Sequence, residues 1–160
     1  MRKTAFPPVA DATVRVLLLG SMPGEESLRR REYYAHPRNA FWPIMGQLLG
    51  FDPAVPYSER LERLLQHRIA LWDVLSACYR EGSLDSDIKT PEPNDIATFI
   101  REHSQLKAVY CNGQTAGRFL KKFFPVLPEG IPVTILPSTS PAHAGLAFPA
   151  KLAQWKAIVK

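Results

Sequence analysis

Cysteine is all but missing from this sequence. Its two copies among 160 residues, Cys78 and Cys111, stand far apart and outside any CxxC pair. A disulfide framework or structural zinc site is therefore not expected, and both residues read as reduced, buried thiols. Apolar runs are short: Val16 to Leu19, among the longest, cannot span a bilayer, and no apolar segment follows the basic Met1-Arg2-Lys3. A cytoplasmic protein is the default expectation. Acidic side chains are in deficit, 15 against 20 Lys and Arg, for a net charge of +5. That balance favours an anionic partner, nucleic acid ahead of a membrane surface, because no basic amphipathic helix stands out. Also absent are GxGxxG, GxxxxGK[ST], GxSxG, HExxH and the zinc-deaminase pair of HxE and PCxxC, which removes the main support for dinucleotide, NTP, serine-hydrolase and metallohydrolase readings. His36 and His143 are isolated histidines and make no metal site. No cofactor is called for.

What is present is enough apolar material, 46% against 22% charged, to bury a core without cross-links. Residues 1–160 read most simply as one domain, with 1–13, carrying Pro7 and Pro8 and no periodicity, as an arm on its surface. Val14 to Leu19 is a branched apolar run closed by Gly20 and suits a central strand buried on both faces. Phe41, Ile44, Met45, Leu48 and Leu49 recur at helical spacing until Gly50. Ser58 is placed to cap a helix facing inward through Leu61, Leu64 and Leu65. A second strand, Ile69 to Leu75, leads towards the polar loop Glu81 to Asp87, which is suited to forming part of a site. Asn94 is placed to cap a helix carrying Ile96, Phe99 and Ile100. Ala108 to Cys111 and Val133 to Leu136 read as the third and fourth strands, the helix between them buries Ala116, Phe119, Leu120 and Phe123, and a last helix from about Pro149 buries Leu152, Trp155 and Ile158. Strands alternating with helices of this length imply a three-layer α/β/α sandwich around a four-stranded, mainly parallel sheet.

In such a sheet the strand C-termini open into ligand-binding loops on one edge. Two of these loops are unusual. The first begins Gly20-Ser21-Met22-Pro23-Gly24 and continues through Arg29, Arg30, Arg31, Tyr33, Tyr34, His36, Arg38 and Asn39; the fourth is Pro137-Ser138-Thr139-Ser140-Pro141. Prolines stiffen both, and backbone N–H groups and hydroxyls there suit phosphate oxygens.

Gly20-Ser21-Met22-Pro23-Gly24, Tyr34-Ala35-His36-Pro37-Arg38-Asn39-Ala40-Phe41-Trp42 and Leu136-Pro137-Ser138-Thr139-Ser140-Pro141 resemble the two active-site motifs of the uracil-DNA glycosylase superfamily. The second string is similar to the mismatch-specific uracil branch and the whole combination to the hypoxanthine-DNA (deoxyinosine) glycosylase branch. The resemblance implies a monofunctional glycosylase acting on a deaminated base in double- or single-stranded DNA, most simply hypoxanthine, with uracil or xanthine as further substrates, working as a monomer and without a cofactor. It implies that Ser21, Met22 and Asn39 belong to the catalytic group. Gly20, Pro23, Gly24, Tyr34 and His36 would hold the base, with Tyr34 stacking on it. Ser138, Thr139, Ser140, His143 and Arg38 would contact the DNA. Met22 replaces the asparagine that holds the attacking water in mismatch-specific relatives, which argues against ordinary uracil excision, and Asn39 fits the asparagine essential in the deoxyinosine branch. Leu136 replaces the usual His or Asn at the start of the second motif.

Each residue also has a plainer reading. Asn39 could cap the following helix, Tyr34 could cover the core, Phe41 and Trp42 suit a helix face, His36 and His143 could tie their own loops, Asp73 could cap a turn, and Arg29 to Arg31 could be a solvated face. The departures at Met22 and Leu136 leave room for an inactive DNA-binding module, and a nucleoside or nucleotide hydrolase is the further alternative.

Overall fold

The computed structural model describes residues 1–143 and 145–159. Its elements are β1 (Arg2–Thr4), β2 (Val16–Gly20), α1 (Glu25–Arg30), α2 (Phe41–Leu49), α3 (Tyr57–Gln66), β3 (Ile69–Asp73), β4 (Leu75–Tyr79), β5 (Lys89–Pro93), α4 (Ile96–Glu102), β6 (Ala108–Asn112), α5 (Gln114–Phe123), β7 (Val133–Leu136) and α6 (Phe148–Trp155). Strands β3, β2, β6 and β7 form a parallel sheet in that order.

Strand alternation divides the core between the two faces of this sheet. Leu17, Leu19, Ala70, Val109 and Cys111 point to the side covered by Ile96, Phe99 and Ile100 of α4 and Ala116 and Leu120 of α5. Leu18, Ile69 and Leu71 point to the other side, against Phe41, Ile44 and Met45 of α2, Leu64 of α3 and Trp155 of α6. The apolar runs are nearly continuous because both faces are covered. This is the three-layer α/β/α arrangement expected from the sequence. Cys78 and Cys111 are buried free thiols.

Several local expectations give way. The second apolar run is two strands: the chain leaves the parallel sheet at Val74 and continues as β4 in an antiparallel sheet ordered β1-β4-β5. Asn94 does not cap α4; its amide donates to the Asp73 and Leu75 carbonyls (2.8 and 3.2 Å) and patches the kink, while Asp95 accepts from Thr98 N–H at the helix start. Pro56, not Ser58, precedes the first turn of α3. The N-terminal segment contributes strand β1 and is tied down by Val9 pairing with Leu71 and by Tyr33 and Trp72 donating to the carbonyls of Pro7 and Phe6. The polar stretch after β2 contains α1, which has no apolar stripe to announce it.

Candidate active site

The C-terminal ends of β2, β3 and β6 and the loops after β2, β4 and β7 enclose a cleft of about 550 Å³. Gly20, Ser21, Met22, Pro23, Gly24, Tyr34, His36, Asn39, Ser138, Thr139, Ser140 and His143 all line it. Arg38 does not; its side chain is exposed outside the cleft, and its backbone N–H donates to His36 Nδ1 at 3.1 Å. Arg29 and Arg30 pair with Glu26 on α1.

The first loop is pinned from the core. Trp42 Nε1 donates to the Tyr33 carbonyl at 2.9 Å, and the Tyr33 ring is buried. Tyr34 adopts a left-handed backbone (φ 55°) and lays one ring face on Phe41, with centroids 4.2 Å apart. Its hydroxyl is buried without a partner beside Gly20, where an added Cβ would lie 2.8 Å from it. Burial holds the Tyr34 phenol above its ordinary range.

Asn39 Oδ1 accepts the Phe41 N–H at 2.9 Å at the start of α2. That bond fixes the amide orientation. The oxygen is used for capping, Nδ2 has no partner among the described residues, and Asn39 therefore offers donors to the cleft it lines. Met22, although it lines the cleft, is 7% exposed and belongs to the same core cluster as Val74 and Leu75, so little of its side chain is open to solvent.

The second loop is held just as firmly. Trp155 Nε1 donates to the Pro137 carbonyl at 2.9 Å. Thr139, placed among the DNA contacts by its sequence position, is 1% exposed. Its N–H donates to Asn112 Oδ1, its Oγ1 accepts from Asn112 Nδ2, and its carbonyl accepts the Ala40 N–H at 3.0 Å. Thr139 thus ties the end of β6 and the start of α2 together beneath the cleft. Ser138 and Ser140 accept backbone N–H groups of their own loop and keep their hydroxyl hydrogens for donation.

Residues outside the two motifs also build the site. Asp73, at the end of β3, is buried with Oδ2 unpaired, and burial raises its carboxyl to about 7. Arg118 on α5 lines the cleft. The loop after β4 reaches across to the first motif through three bonds. The buried Arg80 guanidinium donates to the Pro23 carbonyl, Ser83 Oγ accepts the Glu25 N–H at 2.8 Å, and Asp85 Oδ1 accepts from Ser21 Oγ at 2.8 Å. The polarity of residues 81–87 hinted at a site-forming loop, whereas Arg80, alone after an apolar strand, gave no signal. Among the described residues no group of three His, Cys, Asp or Glu side chains is placed to hold a metal ion, and no helix is long and apolar enough to cross a membrane.

Such a cleft offers neutral donors from Asn39 and the Ser21–Gly24 backbone, an aromatic edge, and hydroxyls at the rim. Those groups suit a reaction in which negative charge grows on a leaving heterocycle. Comparison with known proteins agrees. The model of the uracil DNA glycosylase superfamily matches residues 7–158. A hypoxanthine DNA glycosylase of Methanosarcina barkeri (strain Fusaro / DSM 804) is 42% identical over 120 residues, 74% of this chain and 76% of that protein. A hypoxanthine DNA glycosylase of Methanosarcina acetivorans is 35% identical over 162 residues, 100% of this chain and 99% of that one. A solution NMR structure from Methanosarcina acetivorans, proposed there to be a uracil DNA glycosylase, matches with a TM-score of 0.86 at 34% identity over 99% of this chain and 97% of the other.

Proposed function

This chain belongs to the uracil-DNA glycosylase superfamily and is a DNA glycosylase, and from that premise we propose that it removes hypoxanthine from deoxyinosine in DNA, opening base excision repair as a cytoplasmic monomer. The observation that carries the reading is the convergence of the Ser21–Gly24 turn, Asn39 and the Ser138–Ser140 loop on one cleft. The relatives named as hypoxanthine DNA glycosylases support the choice of base. Met22 supports it as well, since a buried thioether stands at the position where the resemblance to the mismatch-specific uracil branch implies a water-holding asparagine, and it cannot hold that water.

Cleaving the N-glycosidic bond leaves positive charge on the sugar and negative charge on the base. Asn39 Nδ2 and the turn's backbone N–H groups stabilise the departing base, an effect worth about 3 kcal/mol per well-placed donor. Tyr34 packs against the extruded base, Gly20, Pro23, Gly24 and His36 shape its pocket, and Ser138 and Ser140 grip the backbone on either side of it. Thr139 acts beneath them by holding the two loops in register. No Schiff-base step is involved, because neither motif contains a lysine.

The test is a single-turnover assay on labelled duplexes carrying one deoxyinosine, deoxyuridine or deoxyxanthosine, followed by alkali to cut abasic sites. Cleavage fastest at deoxyinosine is expected. Cleavage of none of the three, despite binding, would show a module that holds DNA without excising from it.

A further inference from the structure

We infer that Asp85 is a catalytic residue of this glycosylase, the carboxylate that takes a proton from the attacking water and faces the positive charge growing on the deoxyribose. The inference rests on the glycosylase reading and adds to it a carboxylate, which the two sequence motifs do not contain. Asn39 does not fill that place: its Oδ1 accepts the Phe41 N–H, and a neutral amide is no base and brings no negative charge. Met22 carries no acceptor into the cleft and packs in the core.

Four carboxyl groups line the cleft: Asp73, Glu25, Glu26 and Asp85. Asp73 is 3% exposed and buried at the sheet edge, where low polarity favours its neutral form. Glu26 is engaged by Arg29 and Arg30. Glu25 is 65% exposed and lies 3.9 Å from Lys3. His36 and His143 bring no negative charge to offset a cationic sugar. Asp85 differs from all of these. Its Oδ1 accepts the Ser21 hydroxyl at 2.8 Å, on the turn that faces the scissile bond in this reading, and the side chain is 41% exposed, so water reaches it. Arg80, with a side chain 1% exposed, stands 3.9 Å behind the same oxygen and also holds the Pro23 carbonyl, which fixes the carboxylate relative to the turn. Sixty-four residues separate Ser21 from Asp85, and the antiparallel β4–β5 pair brings them together.

Water oxygen bonds to C1′ as the C1′–N9 bond breaks, and that bond's electron pair leaves on N9. Asp85 takes the proton released by the water. The base departs as an anion held by Asn39 Nδ2 and the turn's N–H groups, then takes a proton from solvent.

The decisive variant is Asp85→Asn, because its amide oxygen still accepts from Ser21 and preserves the brace while removing the base. In single turnover on a deoxyinosine duplex, Asp85→Asn is expected to lose at least 100-fold in rate, with the duplex dissociation constant and melting temperature close to wild type. Asp85→Ala is expected to recover at least tenfold when formate is added as an external base. An Asp85→Asn rate within threefold of wild type overturns the assignment and leaves the glycosylase reading standing. A loss accompanied by a fall in melting temperature, or one that formate does not relieve in Asp85→Ala, shows a structural brace and overturns it too. A wild-type enzyme that releases no hypoxanthine removes the glycosylase reading itself.

Discussion

Gly20 and Asp73, neighbours across the β2–β3 pair, approach so closely that a Cβ on the glycine would stand 2.5 Å from Asp73 Oδ1. The Tyr34 hydroxyl would lie 2.8 Å from that added Cβ. Gly20→Ala must therefore push apart two buried polar groups at the floor of the cleft. The expected result is a loss of roughly 1–3 kcal/mol in stability, read by chemical denaturation, with excision falling more than the fraction folded accounts for.

Asn39 accepts the first N–H of α2 and also lines the cleft, and two variants separate the cap from the proposed donor. Asn39→Ala loses the cap, about 1 kcal/mol, together with the donor. Asn39→Asp keeps an oxygen for the Phe41 N–H but presents no N–H to the base, so it is expected to melt near the wild-type temperature while excision drops by roughly 10²–10³. An Asp variant with full activity would show that the cap alone matters.

Asp73 makes stability depend on pH. Its carboxyl is raised from 3.8 to about 7 in the folded protein, chiefly by burial and then by the nearby Asp85 charge. The folded state thus binds the proton more tightly than the unfolded chain. This contribution is fully present below about pH 4, is lost as pH rises towards 7, and is level beyond it. Asp73→Asn is expected to flatten that window, gaining on the order of 2–4 kcal/mol relative to wild type between pH 4 and 8. Urea denaturation at the two pH values gives the comparison.

Arg118 lies within the cleft, whereas Arg38 lies outside it. Arg118→Ala is expected to weaken duplex binding and reduce the slope of log K against log salt by about 1, with Arg38→Ala changing neither. Fluorescence anisotropy over a salt series decides between them.

The parallel sheet was readable because β2, β3, β6 and β7 are apolar runs that both layers of helices cover. The second sheet was not. Its β5 reads Lys-Thr-Pro-Glu-Pro, with two prolines and four exposed residues, and follows no alternation that marks a half-buried strand. The motif loops were recognisable from composition, and the cleft gathers nearly all their candidates. Sequence position alone could not show which way a side chain turns: Met22, expected in the catalytic group, and Thr139, expected at the DNA, are both buried. Nor could it bring Arg80, Ser83 and Asp85 to residues some sixty positions earlier.

Ser21, Pro23 and Glu25 are stitched at every second residue to a neighbouring loop. A turn fastened in this way has little freedom left to surrender when a nucleotide enters, and little capacity to reshape itself around one. The work of extrusion is then expected to fall on the duplex, so that loosely paired lesions are emptied faster than well-paired ones and the surrounding helix weighs on the pace alongside the base.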